Sequence, residues 1–251
     1  KIKIKKKYKI GNDAIIYEKN GNFKIYPLGV FNKIKKDDLL DIGFDGLQIK
    51  VKKKTKEKLI CKVTKSGLLE NNKGIHIKNR NIKLNYITEK DKEAIKIAKK
   101  MKIKHFALSF TNSHKDILKF NKLLKDEIKF FKIETRSAIN NLDKIISLGK
   151  RFLIDRGDLS NDISVKMLPL AQRKILKTAK KKGKKVYVAT NFLESMMNNN
   201  YPTRGEANDI YNTLEMGADG VVLAAETAIG KHPKDCVIFL QKLIKIYMKY
   251  K

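Results

Sequence analysis

From residue 88 onward one pattern recurs: a short apolar run of strand length, a polar turn, then a stretch with helical spacing. The runs occupy residues 104–110, 128–134, 151–155, 185–190 and 220–224. Helical patterns of about ten to fifteen residues separate them, which is the signature of βα units around a parallel sheet. In such architectures function collects at the carboxyl ends of the strands. Lys132, Glu134, Asp158 and Thr190 all fall at or just beyond those ends. Because strand side chains alternate faces, Lys132 and Glu134 should project from the same face, a few ångströms apart.

Residues 1–86 read differently. Alternating runs at 14–17, 47–51 and 59–63 are punctuated by Gly11, Asn20-Gly21, Asp45-Gly46, Gly67 and Gly74. These are turn and hairpin signals, so this part is expected to be a small all-β domain, with the β/α portion occupying 87–251. The change comes at Thr88-Glu89-Lys90-Asp91, where an N-cap candidate precedes the helical spacing Ala94, Ile95, Ile97, Ala98, Met101. Thr203-Arg204-Gly205-Glu206 has the form of a capping box and opens a helix carrying Ala207, Ile210, Tyr211 and Leu214. The last helix, from about Pro233, is expected to bury a stripe of Val237, Ile238, Leu240, Leu243, Ile244 and Tyr247.

The formal charge of +31 would ordinarily suggest a nucleic-acid or anionic-membrane partner. Of the 57 basic residues, however, six are arginine, at 80, 136, 151, 156, 173 and 204. Arginine is the preferred reader of phosphates and bases, whereas scattered lysine mainly solvates helix faces, so no specific nucleic-acid partner is expected. The clusters Lys1 to Lys7 and Lys180 to Lys185 would attract polyanions weakly. Cys61 and Cys236 indicate no disulfide framework and fit a reducing cytoplasm. No apolar run approaches the ~20 residues that cross a bilayer, and the amino terminus lacks a signal-peptide core, so no membrane association is expected. Beginning at lysine, the chain reads as a trimmed or partial product.

Lys132-Ile133-Glu134, Asp155 to Ser160, Ala189 to Met196, Pro202 to Glu206 and Ala225 to Ala228 together resemble, in order and spacing, the barrel motifs of the pyruvate kinase family. Phe44-Asp45-Gly46-Leu47, residues 67–75 and Thr88 to Asp91 resemble that family's lid domain and its return to the barrel. The resemblance covers roughly residues 32 to 251. It implies an α/β fold of the TIM-type (β/α)8 barrel, here partial, holding strands four to eight, with an amino-terminal all-β lid. It implies transfer of phosphate from phosphoenolpyruvate to ADP, giving pyruvate and ATP. Glu134 and Asp158 would hold Mg²⁺ or Mn²⁺, and Lys132 would stand beside the phosphoryl group and the enolate oxygen. Gly157 would let the backbone approach the substrate carboxylate, and Thr190 would contact substrate and help deliver a proton. K⁺ belongs to the family's chemistry, but its usual ligands lie on earlier strands.

Five strands alone would leave open edges, so the chain is expected to associate with itself or with a segment supplying the earlier strands. Asp155, Ser160, Asn191 and Ala225 depart from the family pattern; Asp155, in place of a small residue, would pair with Arg156 or disturb the field at the metal. Glu226 and Arg204 are expected to fix loops through ion pairs and hydrogen bonds. His76, His105, His114 and His232 show no metal-ligand spacing, and there is no P-loop or G-x-G-x-x-G. Two alternatives stay open: a Mg²⁺-dependent pyruvate-enolate lyase or aldolase on the same barrel, and a noncatalytic remnant that keeps the fold without turnover.

Overall fold

The computed structural model describes residues 5–19, 21–27, 29–43, 46–78, 80, 82, 84 and 87–251. The first four lysine-cluster positions, Asn20 and Asp45 of two turn signals, Phe44 of the lid resemblance and Tyr86 at the end of the β-rich part lie outside the described residues. The chain divides into two compact units, Lys1–Lys92 and Glu93–Lys251, beside the composition change at 88–91.

The first unit runs β1 (Lys5–Tyr8), β2 (Asp13–Tyr17), α1 (Val30–Lys33), β3 (Leu39–Ile42), β4 (Leu47–Lys54), β5 (Lys58–Lys65), β6 (Gly67–Glu70) and β7 (Ile75–Ile77). Strands pair in the order β2-β5-β4-β3-β7 in one sheet and β1-β6 in another, and every ladder is antiparallel. Alternation decides which face is covered. Leu47, Ile49 and Val51 of β4 are buried with Leu40, Ile42, Leu59 and Cys61, whereas Gln48 and Lys50 face outward. Burial pushes the Cys61 thiol up to about 12, so it behaves as a small core hydrophobe. Gly67 is required by close approach: a Cβ there would stand 2.6 Å from the Leu47 backbone nitrogen.

One polar cluster is buried in this unit. Asp38, 1% exposed, accepts from Arg80 Nε at 2.7 Å, from an Arg80 terminal nitrogen at 2.6 Å and from the Lys35 N–H at 2.7 Å. Burial alone would raise its carboxyl, but these charged and backbone donors outweigh it and hold the group below the usual aspartate range. Lys54 Nζ donates to the carbonyls of Phe31, Asn32 and Ile34, satisfying acceptors at the carboxyl end of α1.

The second part runs α2 (Glu89–Lys100), β8 (His105–Leu108), α3 (His114–Leu123), β9 (Ile128–Ile133), α4 (Arg136–Asn140), α5 (Leu142–Leu148), β10 (Arg151–Asp155), α6 (Arg156–Ile163), α7 (Leu168–Lys181), β11 (Lys185–Ala189), α8 (Arg204–Glu215), β12 (Gly220–Val222), α9 (Ala225–Ala228) and α10 (Pro233–Tyr250). Its sheet is parallel throughout and ordered β12-β11-β10-β9-β8, each strand beside its neighbour in sequence. The expected α/β class with a parallel sheet is therefore present. The described strands do not close into a barrel; β8 and β12 end the sheet.

The two faces of this sheet differ. On one, Leu108, Phe131, Ile133, Phe152, Ile154, Val186 and Val188 are buried, in a core shared with Phe120 of α3, Ile145 of α5 and Ile175 of α7. The Phe120 ring meets Phe131 edge-on at 6.1 Å between centroids. The other face carries Ala107, Phe130, Leu153, Tyr187 and Val222, each half-buried or exposed. That face also carries Lys132.

Two helical stripes differ from expectation. In α10 the buried residues are Cys236 and Tyr247, while Val237 and Ile238 are 42% and 37% exposed. In α2 no residue is buried, and Ala94 and Ile97 are exposed, as is Met101 just after it. Helical spacing identifies residues that share a face, and burial also needs an element packed on that face. Among the described residues no helix is long and apolar enough to cross a membrane.

Candidate active site

The parity of β9 brings Lys132 and Glu134 to one face, and the parallel register Leu153↔Lys132 carries Asp155 to the same face of β10. Glu134 is 1% exposed; its Oε2 accepts the Phe110 N–H at 2.5 Å, and its Oε1 has no partner among the described residues besides the Lys132 ammonium. Lys132 Nζ also meets Asp155 Oδ2 at 3.0 Å, so one cation is held between two carboxylates. Burial alone would lower Lys132, but Glu134 and then Asp155 outweigh it and hold the ammonium above the usual lysine range.

Asp158 lies in the first turn of α6. Carboxylate oxygens of Glu134, Asp155 and Asp158 lie within 4.8 Å of one another. Hard oxygen donors at this spacing, with one buried oxygen facing a lone ammonium, fit a Mg²⁺ or Mn²⁺ ion.

The start of α6 is fixed from β11. Asp155 is its N-cap residue, yet its side chain makes no capping bond. Instead Thr190 Oγ1 accepts the Gly157 N–H at 3.0 Å and donates to the Ala189 carbonyl at 2.6 Å. Thr190 and the following Asn191 both sit in the left-handed region, at φ 73° and 57°. For a β-branched residue that conformation costs about 1–3 kcal/mol and needs outside support.

Arg156 supplies that support. Its guanidinium donates to the Thr190 carbonyl at 2.9 and 2.6 Å and to the Asn191 carbonyl at 2.8 Å, pairs with Asp209 at 2.6 Å and stacks 4.0 Å from the centre of the Phe192 ring. The pairing of Asp155 with Arg156 expected from their adjacency gives way to Lys132–Asp155 and Arg156–Asp209. Successive residues at a strand end point to opposite faces, so each finds a different partner. A Cβ on Gly157 would meet Asp155 Oδ1 at 3.5 Å and Thr190 Oγ1 at 3.7 Å, which is ordinary contact. The missing side chain there leaves room between those two groups and is not forced by protein packing.

A second brace holds the segment after Thr190. The capping box forms: Thr203 Oγ1 accepts the Glu206 N–H at 3.2 Å, and Glu206 Oε2 accepts the Thr203 N–H at 2.8 Å. Glu206 Oε1 also accepts the Ser195 N–H at 2.7 Å, tying the turn at Glu194–Met197 to α8. Burial would raise Glu206, but the Ser195 and Thr203 donors hold it below the usual glutamate range. Glu206→Ala is expected to cost about 2 kcal/mol, from a lost cap and an orphaned Ser195 N–H. Glu206→Gln should lose less than half as much. Urea unfolding of the two variants checks this; equal losses would remove the carboxylate geometry from the account. Glu226, 1% exposed, accepts the Ala224 N–H at 3.0 Å, whereas Arg204 is solvent-exposed and forms no ion pair among the described residues.

Of the residues singled out from sequence, Lys132, Glu134 and Asp158 gather on one side of this cluster, and Gly157 and Thr190 are hydrogen-bonded on the other. Sequence reasoning did not find the Lys132–Asp155 pair, the Phe110 N–H on Glu134 or the Arg156 fork. Counting by twos from Lys132's register partner Leu153 would have put Asp155 on the site face.

A parallel β/α sheet with a lysine and three carboxylates converging beyond its strand ends defines a β/α protein with its polar site at the usual end of the sheet. Residues 1–237 match the family described as pyruvate kinase, barrel domain, and the chain belongs to the pyruvate kinase family. It is 34% identical over 242 residues to the pyruvate kinase of Thermotoga maritima, covering 94% of this chain and 50% of that protein. Identity to the pyruvate kinase of Clostridium acetobutylicum is 35% over 210 residues, covering 82% and 44%. With that of Buchnera aphidicola subsp. Schizaphis graminum it is 36% over 247 residues, covering 93% and 50%. The chain thus spans about half the length of the curated relatives it matches.

Proposed function

We propose that this chain carries the chemical centre of a cytoplasmic pyruvate kinase, which transfers the phosphoryl group of phosphoenolpyruvate to ADP and yields pyruvate and ATP. The observation that supports this most is the Lys132 ammonium held between Glu134 and Asp155 at the carboxyl ends of β9 and β10. In the reaction the bond between phosphorus and the enol oxygen breaks as a bond from an ADP phosphate oxygen forms. The electron pair stays on the enol oxygen, and a proton then adds to the methylene carbon. Lys132 stabilises both the transferring group and the enolate oxygen, an electrostatic role suited to a partly buried ammonium.

Gly157 leaves room for the substrate carboxylate at the first turn of α6. Thr190 holds that turn through the Gly157 N–H, and its hydroxyl contacts the substrate on the side where the proton arrives. Glu134 and Asp158 are the residues that would hold Mg²⁺ or Mn²⁺, which when bound neutralises phosphoryl and enolate charge. The amino-terminal β unit is assigned as the lid.

Pyruvate release from phosphoenolpyruvate, followed with and without ADP, tests the reading. Strict dependence on ADP supports it. Pyruvate formed equally without ADP would mean that water takes the phosphoryl group, and no pyruvate in either case would leave an aldol-cleaving lyase, which draws on a different substrate, or a noncatalytic member of the family. A metal titration goes further. Glu134→Gln and Asp158→Asn should each weaken Mn²⁺ binding, and the double variant should be little worse than the poorer single one, since two ligands of one ion act as a unit. Additive losses would mean separate sites.

A further inference from the structure

We propose that Asp155 is a positioning residue: the standing counter-ion that keeps Lys132 in place when a divalent cation engages Glu134. The inference rests on the phosphotransferase reading above. Lys132 Nζ contacts Glu134 Oε1 and lies 3.0 Å from Asp155 Oδ2. A cation arriving at Glu134 competes for the oxygen that Lys132 now holds, and the two positive charges repel. With Asp155 present, the ammonium yields Glu134 without losing its only anionic partner. Without it, Glu134 is the anion left to Lys132, which stays paired there and blocks the cation.

The local structure frees Asp155 for this role. As N-cap of α6 it is placed to bond the helix's first N–H groups, yet it makes no such bond, and Thr190 Oγ1 takes the Gly157 N–H instead. Arg156, the nearest other cation in sequence, is committed to Asp209 and to the Thr190 and Asn191 carbonyls. The Asp155 side chain is 14% exposed and that of Lys132 21%, so water screens the pair little. Asp155 also stands where the family motif has a small residue.

The alternative is that Asp155 is simply a third ligand to the metal, and a double-mutant cycle separates the two. Mn²⁺ binding is measured by the electron paramagnetic resonance of the free ion, in the native protein, Asp155→Asn, Lys132→Ala and the double variant. Asp155→Asn should weaken Mn²⁺ binding about tenfold when Lys132 is present and no more than about threefold in the Lys132→Ala background, because the residue acts through the lysine. Asp155→Glu, which keeps the charge, should stay within about threefold of native.

Equal losses in both backgrounds would make Asp155 a ligand and overturn the proposal. So would an Asp155→Asn protein that binds as well as native, or an Asp155→Glu protein as weak as Asp155→Asn. Glu134→Gln guards the underlying reading. Retained Mn²⁺ binding there overturns the metal site and this inference together, whereas loss there with equal Asp155 losses overturns this inference alone.

Discussion

Lys132→Ala slows ATP formation by ~10²- to 10³-fold while Mn²⁺ binding stays at least as tight as in the native protein. The two halves of that expectation have one origin. Lys132 is the cation between Glu134 and Asp155, so it contributes positive charge where the enolate oxygen and the transferring phosphoryl group become more negative. Removing it takes away stabilisation specific to the transition state. It also releases the buried Glu134 Oε1, whose single partner among the described residues it is, to any incoming cation. Lys132→Arg should rescue poorly, since a planar fork cannot occupy the point between two carboxylates that an ammonium fills. Steady-state rates beside a Mn²⁺ titration check both halves. Native turnover in the alanine variant would remove Lys132 from the chemistry, and lost metal binding would mean that it organises the carboxylates.

In the β-rich unit the largest effect is expected at Asp38. Asp38→Ala leaves Arg80 facing a void and frees the Lys35 N–H, at a cost of about 3 kcal/mol, the lower end for a broken buried pair because Arg80 is 28% exposed and partly rehydrates. Amide hydrogen exchange in β3 and β4 reads that unit directly, and protection should fall about 100-fold. The pH dependence has a definite sign. Asp38 titrates below its ordinary value in the folded protein, so its stabilisation is complete above the unfolded aspartate value of about 3.9 and is lost as pH falls through the lower folded value. The alanine variant should therefore show a shallower loss of protection on acidification than native protein. Parallel acid profiles would show that the Arg80 pair is not what titrates.

What could be read beforehand follows from which interactions are local. The five parallel strands announce themselves because each is a short apolar run closed by a polar turn, and the capping box at Thr203 and Glu206 needs four consecutive residues. Lys132 and Glu134 share a face by alternation alone. The partner of Lys132 across the ladder depends on the register between β9 and β10, which neither strand encodes by itself. The same limit explains Arg156: its neighbour Asp155 is adjacent in sequence but faces the other way, and Asp209 comes from α8, far along the chain. Ala94 and Ile97 of α2, with Met101 just after it, show the converse, a helical stripe with correct periodicity that stays exposed. Backbone strain at Thr190 has no compositional signal, since threonine at a strand end is commonplace.

The order β12-β11-β10-β9-β8 bears on how the molecule is made. Each strand hydrogen-bonds to the one synthesised just before it, so every ladder closes over a short stretch of chain and the entropy of loop closure stays small. As the polypeptide leaves the ribosome, each βα unit can dock on a finished edge, and assembly proceeds in the direction of translation. The cluster follows the same schedule. Glu134 and Lys132 emerge first, Asp155 and Asp158 next, and Thr190 closes the α6 turn only when β11 arrives, so charged groups remain hydrated until their partners have been translated.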